Sequence, residues 1–357
     1  MTSEPTEHKN AEDEVSPDEV SPEVDAQTKA LIEDFLGSTG GSTVAESEPE
    51  PTWHEQALPE GHKSGFVALI GRPNVGKSTL INALLGRKVA IVSRKPQTTR
   101  NRIMGIQTQP QHQLIFIDTP GIHTKPRYRL NKKMIEQAIA SIPDADLILF
   151  VVDVSAPPQD ADRRIAQLLS EKATKRPVIF ALNKMDKLSL EYAEKRIENY
   201  WELLPNYADS MPVSALHGTN VQKLHTHILD HIPEGPRYYP DEQITDQTEW
   251  QIAGELIREA MLRYTHQEIP HAAAVLVEDF QKRDNGVTYI GARIWVERES
   301  QKPIVIGKKG SMLKRIGTTA RKELERFIGG KVYLDLWVKV QPKWRDHEAR
   351  LQELGFK

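Results

Sequence analysis

Gly71-Arg72-Pro73-Asn74-Val75-Gly76-Lys77-Ser78 places glycine, lysine and serine at the spacing of a loop that wraps phosphate. Glycines let successive backbone N–H groups turn inward on a polyphosphate. Lys77 is expected to reach the β- and γ-phosphates, Ser78 to face a Mg2+ ion, and Thr79 to complete the loop's contacts. A helix opening at Ser78 would add its positive N-terminal end. Asp118-Thr119-Pro120-Gly121 supplies an acid for the ion's water shell and a glycine N–H for the γ-phosphate. Lys77 and Gly121 are therefore the groups expected to act on charge that develops during phosphoryl transfer.

Asn183-Lys184-Met185-Asp186 selects the base. A carboxylate at Asp186 can accept from both N1–H and the C2 amine of guanine, whereas adenine would leave it desolvated and unpaired. Val213-Ser214-Ala215 would bring a backbone N–H to guanine O6. The four motifs occur in this order, each after an apolar run, and together they imply GTP rather than ATP. Between Ser93 and Arg102 a polar loop is placed to be a first switch. Thr99, with Thr98 as its rival, is expected to meet Mg2+ when the γ-phosphate is present. Ile122 stands where many GTPases carry a glutamine to orient water, so intrinsic hydrolysis is expected to be slow.

The elements that must position these groups follow from periodicity. Buried-strand runs lie at 66–70, 114–118, 147–153, 178–183 and around 212–213, with amphipathic helices between them at 78–85, 131–141, 160–171, 189–203 and 220–231. Strands alternating with helices predict an α/β P-loop domain, a mostly parallel sheet with helices on both faces. Residues 101–107 and 113–117 add one antiparallel hairpin. The expected organisation is an acidic, disordered tail (1–61), the nucleotide domain (62–232), a proline-rich linker (233–245), a smaller α+β domain (246–345) and a C-terminal tail (346–357). A transient helical turn is expected at Ala30–Leu36.

In the second domain a helix over 249–264 precedes a strand over 272–280. Asp284-Asn285-Gly286 then marks a hairpin into 287–297, and 331–340 reads as a closing strand. Gly307-Lys308-Lys309-Gly310, followed by a basic amphipathic helix over 311–328, fits a KH domain whose G-x-x-G loop clamps single-stranded RNA. Leu313, Ile316, Ala320, Leu324, Phe327 and Ile328 are assigned to that helix's core face. Lys314, Arg315, Arg321, Lys322 and Arg326 are assigned to its outer one. RNA contacts are expected from Gly307, Lys308, Lys309, Gly310, Lys314 and Arg315. His225, His227 and His231 read as ordinary helix surface, and Trp250, Trp295, Trp337 and Trp344 as core or rim.

Charge supports that division. Residues 1–60 hold sixteen Asp and Glu against two Lys, while 302–345 hold twelve Lys and Arg against three acids, in a chain of net charge −3. The basic end suggests a polyanionic partner. With no cysteine, disulfides and thiolate metal sites are excluded. No run approaches the roughly 20 apolar residues of a membrane span, and the acidic start is not expected to be a secretory leader.

Over residues 63 to about 345 the chain resembles the Era family of bacterial GTPases. The resemblance rests on the motifs at 71–78, 118–122, 183–186 and 306–310, on Gln97-Thr98-Thr99-Arg100, and on Leu336–Val340 with Lys343-Trp344-Arg345. It implies a type II-like KH domain that binds the 3′ end of 16S ribosomal RNA, and a monomer that assists 30S assembly while hydrolysing GTP to GDP. It also implies a cytoplasmic protein, with reported association at the inner face of the membrane. The competing expectation is a membrane or cell-cycle signalling switch whose KH domain binds protein. Several GTPases resembling this one hold a potassium ion with an asparagine placed like Asn74. The acidic tail departs from the compact family pattern.

Overall fold

The apolar runs of the first domain become strands of a six-stranded sheet in the computed structural model, which describes residues 58–93, 95, 97–122 and 127–356. In chain order these are β1 (Lys63–Ile70), β2 (Ile103–Gln109), β3 (His112–Asp118), β4 (Leu147–Asp153), β5 (Val178–Asn183) and β6 (Asp209–Pro212). They lie in the order β2-β3-β1-β4-β5-β6, with β2 antiparallel and the rest parallel. Helices α1 (Lys77–Leu85), α2 (Arg129–Asp144), α3 (Asp160–Lys172), α4 (Ala193–Trp201) and α5 (Val221–His231) make the connections. The expected acidic tail, up to residue 57, and its helical turn at 30–36 lie outside the described residues, as do Arg94 and Pro96 of the switch loop.

Two apolar layers explain why β1 is apolar at every position from Phe66 to Ile70. Val67 and Leu69 face Leu80, Ile81, Leu224 and Ile228, while Ala68 and Ile70 face Ile142, Ile165 and Leu169. A strand covered on both faces must read as a continuous apolar run. Each of the valine, leucine and isoleucine side chains among them contributes ~1.5–3 kcal/mol on full burial. The sheet is therefore rigid where the site needs it, at the C-terminal ends of β1, β3, β5 and β6.

The linker is bound rather than loose. Gln113 accepts from the Tyr238 and Tyr239 amides and donates to the Tyr239 carbonyl at 2.7, 3.0 and 2.8 Å. Ile106 N–H donates to Ile244 O, so residues 244–245 cap the free edge of β2.

The second domain comprises α6 (Glu249–Tyr264), α7 (Ile269–Ala272), β7 (Ala274–Lys282), β8 (Thr288–Val296), α8 (Lys302–Ile306), α9 (Ser311–Ile328) and β9 (Val332–Val340), followed by α10 (Glu348–Glu353). A capping box between Thr248 and Gln251 starts α6. β7 and β8 are antiparallel, β8 and β9 parallel, and one face of this sheet packs on α6 and α9. The strand expected from 272 begins at Ala274, because Ile269–Ala272 first closes a helical turn.

Three readings need correction. Phe327 is exposed at 38%, because by the last turn of α9 the stripe of Ile316, Ala320 and Leu324 has rotated past it. His225 is buried, not surface. Its Nε2 lies 2.6 Å from Gln107 Oε1, and its ring lies 5.2 Å from that of His112. Burial lowers the pKa of both, that of His112 to about 4. Residues 346–357 do not trail as a tail outside the second domain. Leu351 and Phe356 join Trp295, Trp344 and Ala274 in a cluster with Leu130 and Met134 of α2, which ties the two domains together. A helix of 6 residues is too short for periodicity to announce. None of the described helices is long and apolar enough to cross a membrane.

Candidate functional site

The phosphate loop turns between the end of β1 and α1. Asn74 takes φ 64 and Gly76 φ 104, both in the left-handed region. A Cβ at Gly76 would lie 2.3 Å from Asn183 Nδ2, so only glycine fits there. The Asn183 amide in turn donates to Val75 O at 2.7 Å and accepts from Ala215 N–H at 3.0 Å. It thus joins the phosphate loop to the loop after β6. Lys184 Nζ adds bonds to Asn74 O and to Asp153 at 2.7 and 2.6 Å.

Lys77 is buried and donates to the carbonyls of Gly71 and Arg72 at 3.1 and 3.2 Å. Burial pushes its pKa down to about 8, against the pull of Asp118. A bound polyphosphate would raise it again, so above pH 8 nucleotide binding must take up a proton. GTP affinity is therefore expected to fall about fivefold between pH 8 and pH 9. Titration calorimetry in buffers of different ionisation enthalpy would register the proton. An affinity that is flat from pH 7 to 9 would refute the depressed lysine.

Beside Lys77 three hard oxygen groups meet. Ser78 Oγ and Thr99 Oγ1 lie 2.8 Å apart, and they donate to Asp118 Oδ2 at 2.7 and 3.1 Å. Burial raises the Asp118 pKa, while Lys77 and the two hydroxyls oppose the shift. Asp118 Oδ1 is buried and has no hydrogen-bond partner. A buried carboxylate oxygen without a partner, next to two hydroxyls, is the donor set a Mg2+ ion prefers. The geometry also separates the two threonines. Thr98 Oγ1 donates back to Lys95 O at 2.7 Å, and it is Thr99 that joins Ser78 and Asp118.

At the other end Asp186 Oδ1 accepts from Ser214 Oγ at 2.6 Å, and Met185 N–H donates to Val213 O. A cavity of ≈ 680 Å3 runs between the two ends. Pro73, Asn74, Gly76, Lys77, Ser78, Thr79, Gly121, Asn183, Lys184, Asp186 and Ala215 line it, together with Thr98 and Thr99. Other motif residues do not line it. Arg72 pairs with Asp162 and Asp153, Val75 is core, and the Thr119 hydroxyl donates to Leu69 O at 2.6 Å. Ile122 and Met185 pack against the apolar layer below, and Pro120, Val213 and Ser214 shape the loops. The Ile122 side chain is thus a packing group, which accounts for isoleucine at a position beside the phosphates.

Sequence reading missed one wall of this cavity. Glu259, Leu262 and Arg263 of α6, with His266 just beyond its end, line it from the second domain. No motif marks them, since they enter by tertiary packing alone.

In the second domain α8 and α9 flank Gly307-Lys308-Lys309-Gly310. Gly307 (φ 75) and Gly310 (φ 78) turn the chain, and a Cβ on Gly307 would lie 2.7 Å from Met312 N. Lys308, Lys309, Lys314 and Arg315 are exposed around this turn, with Ile304 53% exposed beside it. The Arg315 guanidinium lies 4.3 Å from the centroid of the Tyr264 ring. Such a corner can take a sugar-phosphate chain against glycine and bases against apolar and planar groups.

Comparison with known proteins agrees with these features. Residues 66–184 match the family described as 50S ribosome-binding GTPase, and 268–345 match the KH domain family. The chain is 49% identical to GTPase Era of Thermotoga maritima over 296 residues, 83% of this chain and 98% of that one. It is similar to the crystal structure of Era in complex with MgGDPNP and nucleotides 1506–1542 of 16S ribosomal RNA. The TM-score there is 0.79 and the identity 40%, over 83% of this chain and 99% of the other. An Aquifex aeolicus Era variant bound to GDP and aluminium fluoride gives the same TM-score and identity, over 82% and 99%.

Proposed function

The chain belongs to the Era family of GTPases, and from that premise we propose that it hydrolyses GTP and uses its KH domain to hold the 3′ end of 16S ribosomal RNA during assembly of the small subunit. The observation that carries the enzymatic half is the meeting of Ser78, Thr99 and Asp118 beside Lys77. GTP lies with guanine at Asp186 and its phosphates in the loop 71–78. Lys77 follows the β- and γ-phosphates, and backbone N–H groups, including that of Gly121, meet the charge that builds in transfer. Ser78, Thr99 and Asp118 would hold Mg2+, which when bound neutralises phosphate oxygens. Ile122, where many GTPases carry a glutamine, has no group to orient the attacking water, and a slow intrinsic rate follows from this reading.

Ribosomal assembly, rather than signalling at a membrane, is favoured by the exposed Lys308, Lys309, Lys314 and Arg315 at a G-x-x-G turn. We place the protein in the cytoplasm, as a monomer on 30S particles. Co-sedimentation of the full chain with 30S particles and with anionic lipid vesicles tests this, since partition to vesicles alone would refute it.

Asn74 bears on rate. It is exposed in the phosphate loop, and its φ of 64 already suits asparagine for backbone reasons. If its carbonyl oxygen also helps hold a potassium ion against the phosphates, hydrolysis should run about tenfold faster in potassium than in sodium at equal ionic strength. Asn74→Ala should erase that difference. Equal rates in the two salts, or a potassium effect that survives the substitution, would leave the backbone role alone.

A further inference from the structure

The switch loop is held from the wrong side for a self-contained GTPase domain. Thr98 O accepts from Arg258 of α6, a residue 3% exposed in its side chain and itself fixed by Glu255 at 2.9 and 2.6 Å. Two residues on, buried Arg100 donates to Ala273 O at 2.8 Å, to Pro270 O at 2.9 Å and to His271 O at 3.3 Å. These carbonyls belong to α7 and to Ala273, its C-cap, just before β7. Upstream, Glu259 accepts from Val92 N–H at 3.1 Å and from Lys88 at 2.5 Å. Thr99 is thus strung between two anchors that both belong to the second domain. Gln97 is held at φ 61, an unfavourable backbone for a residue with a Cβ, as expected of a loop fixed by outside contacts.

We infer that Arg258 and Arg100 are positioning residues for GTP hydrolysis, through which the KH domain keeps the Thr99 hydroxyl at the Ser78–Asp118 corner. A bond to Thr98 O fixes the peptide plane that leads into Thr99, and the three bonds of Arg100 fix the plane that leaves it. Mere domain docking would not require both anchors to flank the one described switch residue that reaches Asp118. The inference rests on the GTPase reading and adds that the second domain is a working part of the nucleotide site.

The test uses the full chain and the variants Arg258→Ala, Arg258→Lys and Arg100→Lys. Single-turnover GTP hydrolysis is followed against Mg2+ concentration, alongside GDP affinity and the circular dichroism of each variant. Arg258→Ala should lose roughly tenfold or more in hydrolysis, the scale on which a displaced positioning group acts. It should also need more Mg2+ for half-maximal rate, while binding GDP within about twofold of the parent, because GDP lacks the γ-phosphate that Thr99 attends. Arg258→Lys keeps one donor and should recover part of the loss. Arg100→Lys, which can serve only part of the three carbonyls, should repeat the Mg2+ shift independently and covers the case in which Arg258→Ala does not fold. Parent hydrolysis and Mg2+ dependence in Arg258→Ala, or in Arg100→Lys if that alone folds, would overturn the inference. A parent chain that neither binds nor hydrolyses GTP would instead overturn the enzymatic reading beneath it.

Discussion

Asp186→Asn is expected to cost ~10³-fold or more in GTP affinity and to give the protein an affinity for xanthosine triphosphate that the parent lacks. Ser214 Oγ donates to Asp186 Oδ1 at 2.6 Å, which fixes the carboxylate plane at the far end of the cavity. Guanine presents two donors there, N1–H and the C2 amine. An amide in place of the carboxylate turns one of its acceptors into a donor, so a donor on the protein then faces a donor on the base. Xanthine carries a carbonyl at C2 and accepts from that amide. The substitution is isosteric, and Ser214 can still donate to the remaining carbonyl, so the loop should keep its shape. Competition between the two nucleotides for a fluorescent analogue reads both changes at once. Unaltered GTP affinity would remove Asp186 from the base site.

The expected motif order and the final geometry agree where local sequence determines local structure. β4, Phe66–Ile70 of β1 and Val178–Leu182 of β5 are continuous apolar stretches because both faces are covered, and α6 begins at its capping box. The phosphate loop is legible because glycine at 76 is forced by the approach of Asn183. Thr98 and Thr99 could not be separated from sequence. Adjacent residues in an irregular loop obey no period, and the choice is made by Arg258 and Arg100 reaching contacts 160 and 173 residues away. Glu259 and Arg263 were invisible as site residues for the same reason, since on their own helix they are ordinary polar positions. His225 and Phe327 were misassigned because a helical stripe gives the face but not its width. A histidine at the stripe's margin is buried when a partner such as Gln107 stands opposite, and a phenylalanine at its end is not.

Replacing Lys308 and Lys309 together with aspartate should abolish binding of single-stranded RNA, by ~10³-fold or more at low salt, with GTP affinity unchanged. Both side chains are exposed at the turn between α8 and α9, and Gly307 and Gly310 on either side let a sugar-phosphate chain come close. Each lysine that meets a phosphate displaces a condensed cation, so affinity for single strands should fall with salt with a slope of about −0.7 per contact. Two reversed charges remove those contacts and add repulsion, and the salt dependence should flatten with them. Lys309 takes φ 52, a left-handed conformation that aspartate tolerates better than most residues, so the turn itself should survive. The fold around it is carried by Ile316, Ala320 and Leu324 against the sheet, none of which is touched. The G-K-K-G turn contributes nothing to the nucleotide cavity, whose second-domain wall comes from Glu259, Leu262, Arg263 and His266. Filter binding of a labelled oligoribonucleotide at several salt concentrations, beside GTP titration of the same preparation, separates the two activities. Equal RNA affinity in variant and parent would refute the KH assignment. Joint loss of RNA and GTP would show that the turn supports the fold rather than the ligand.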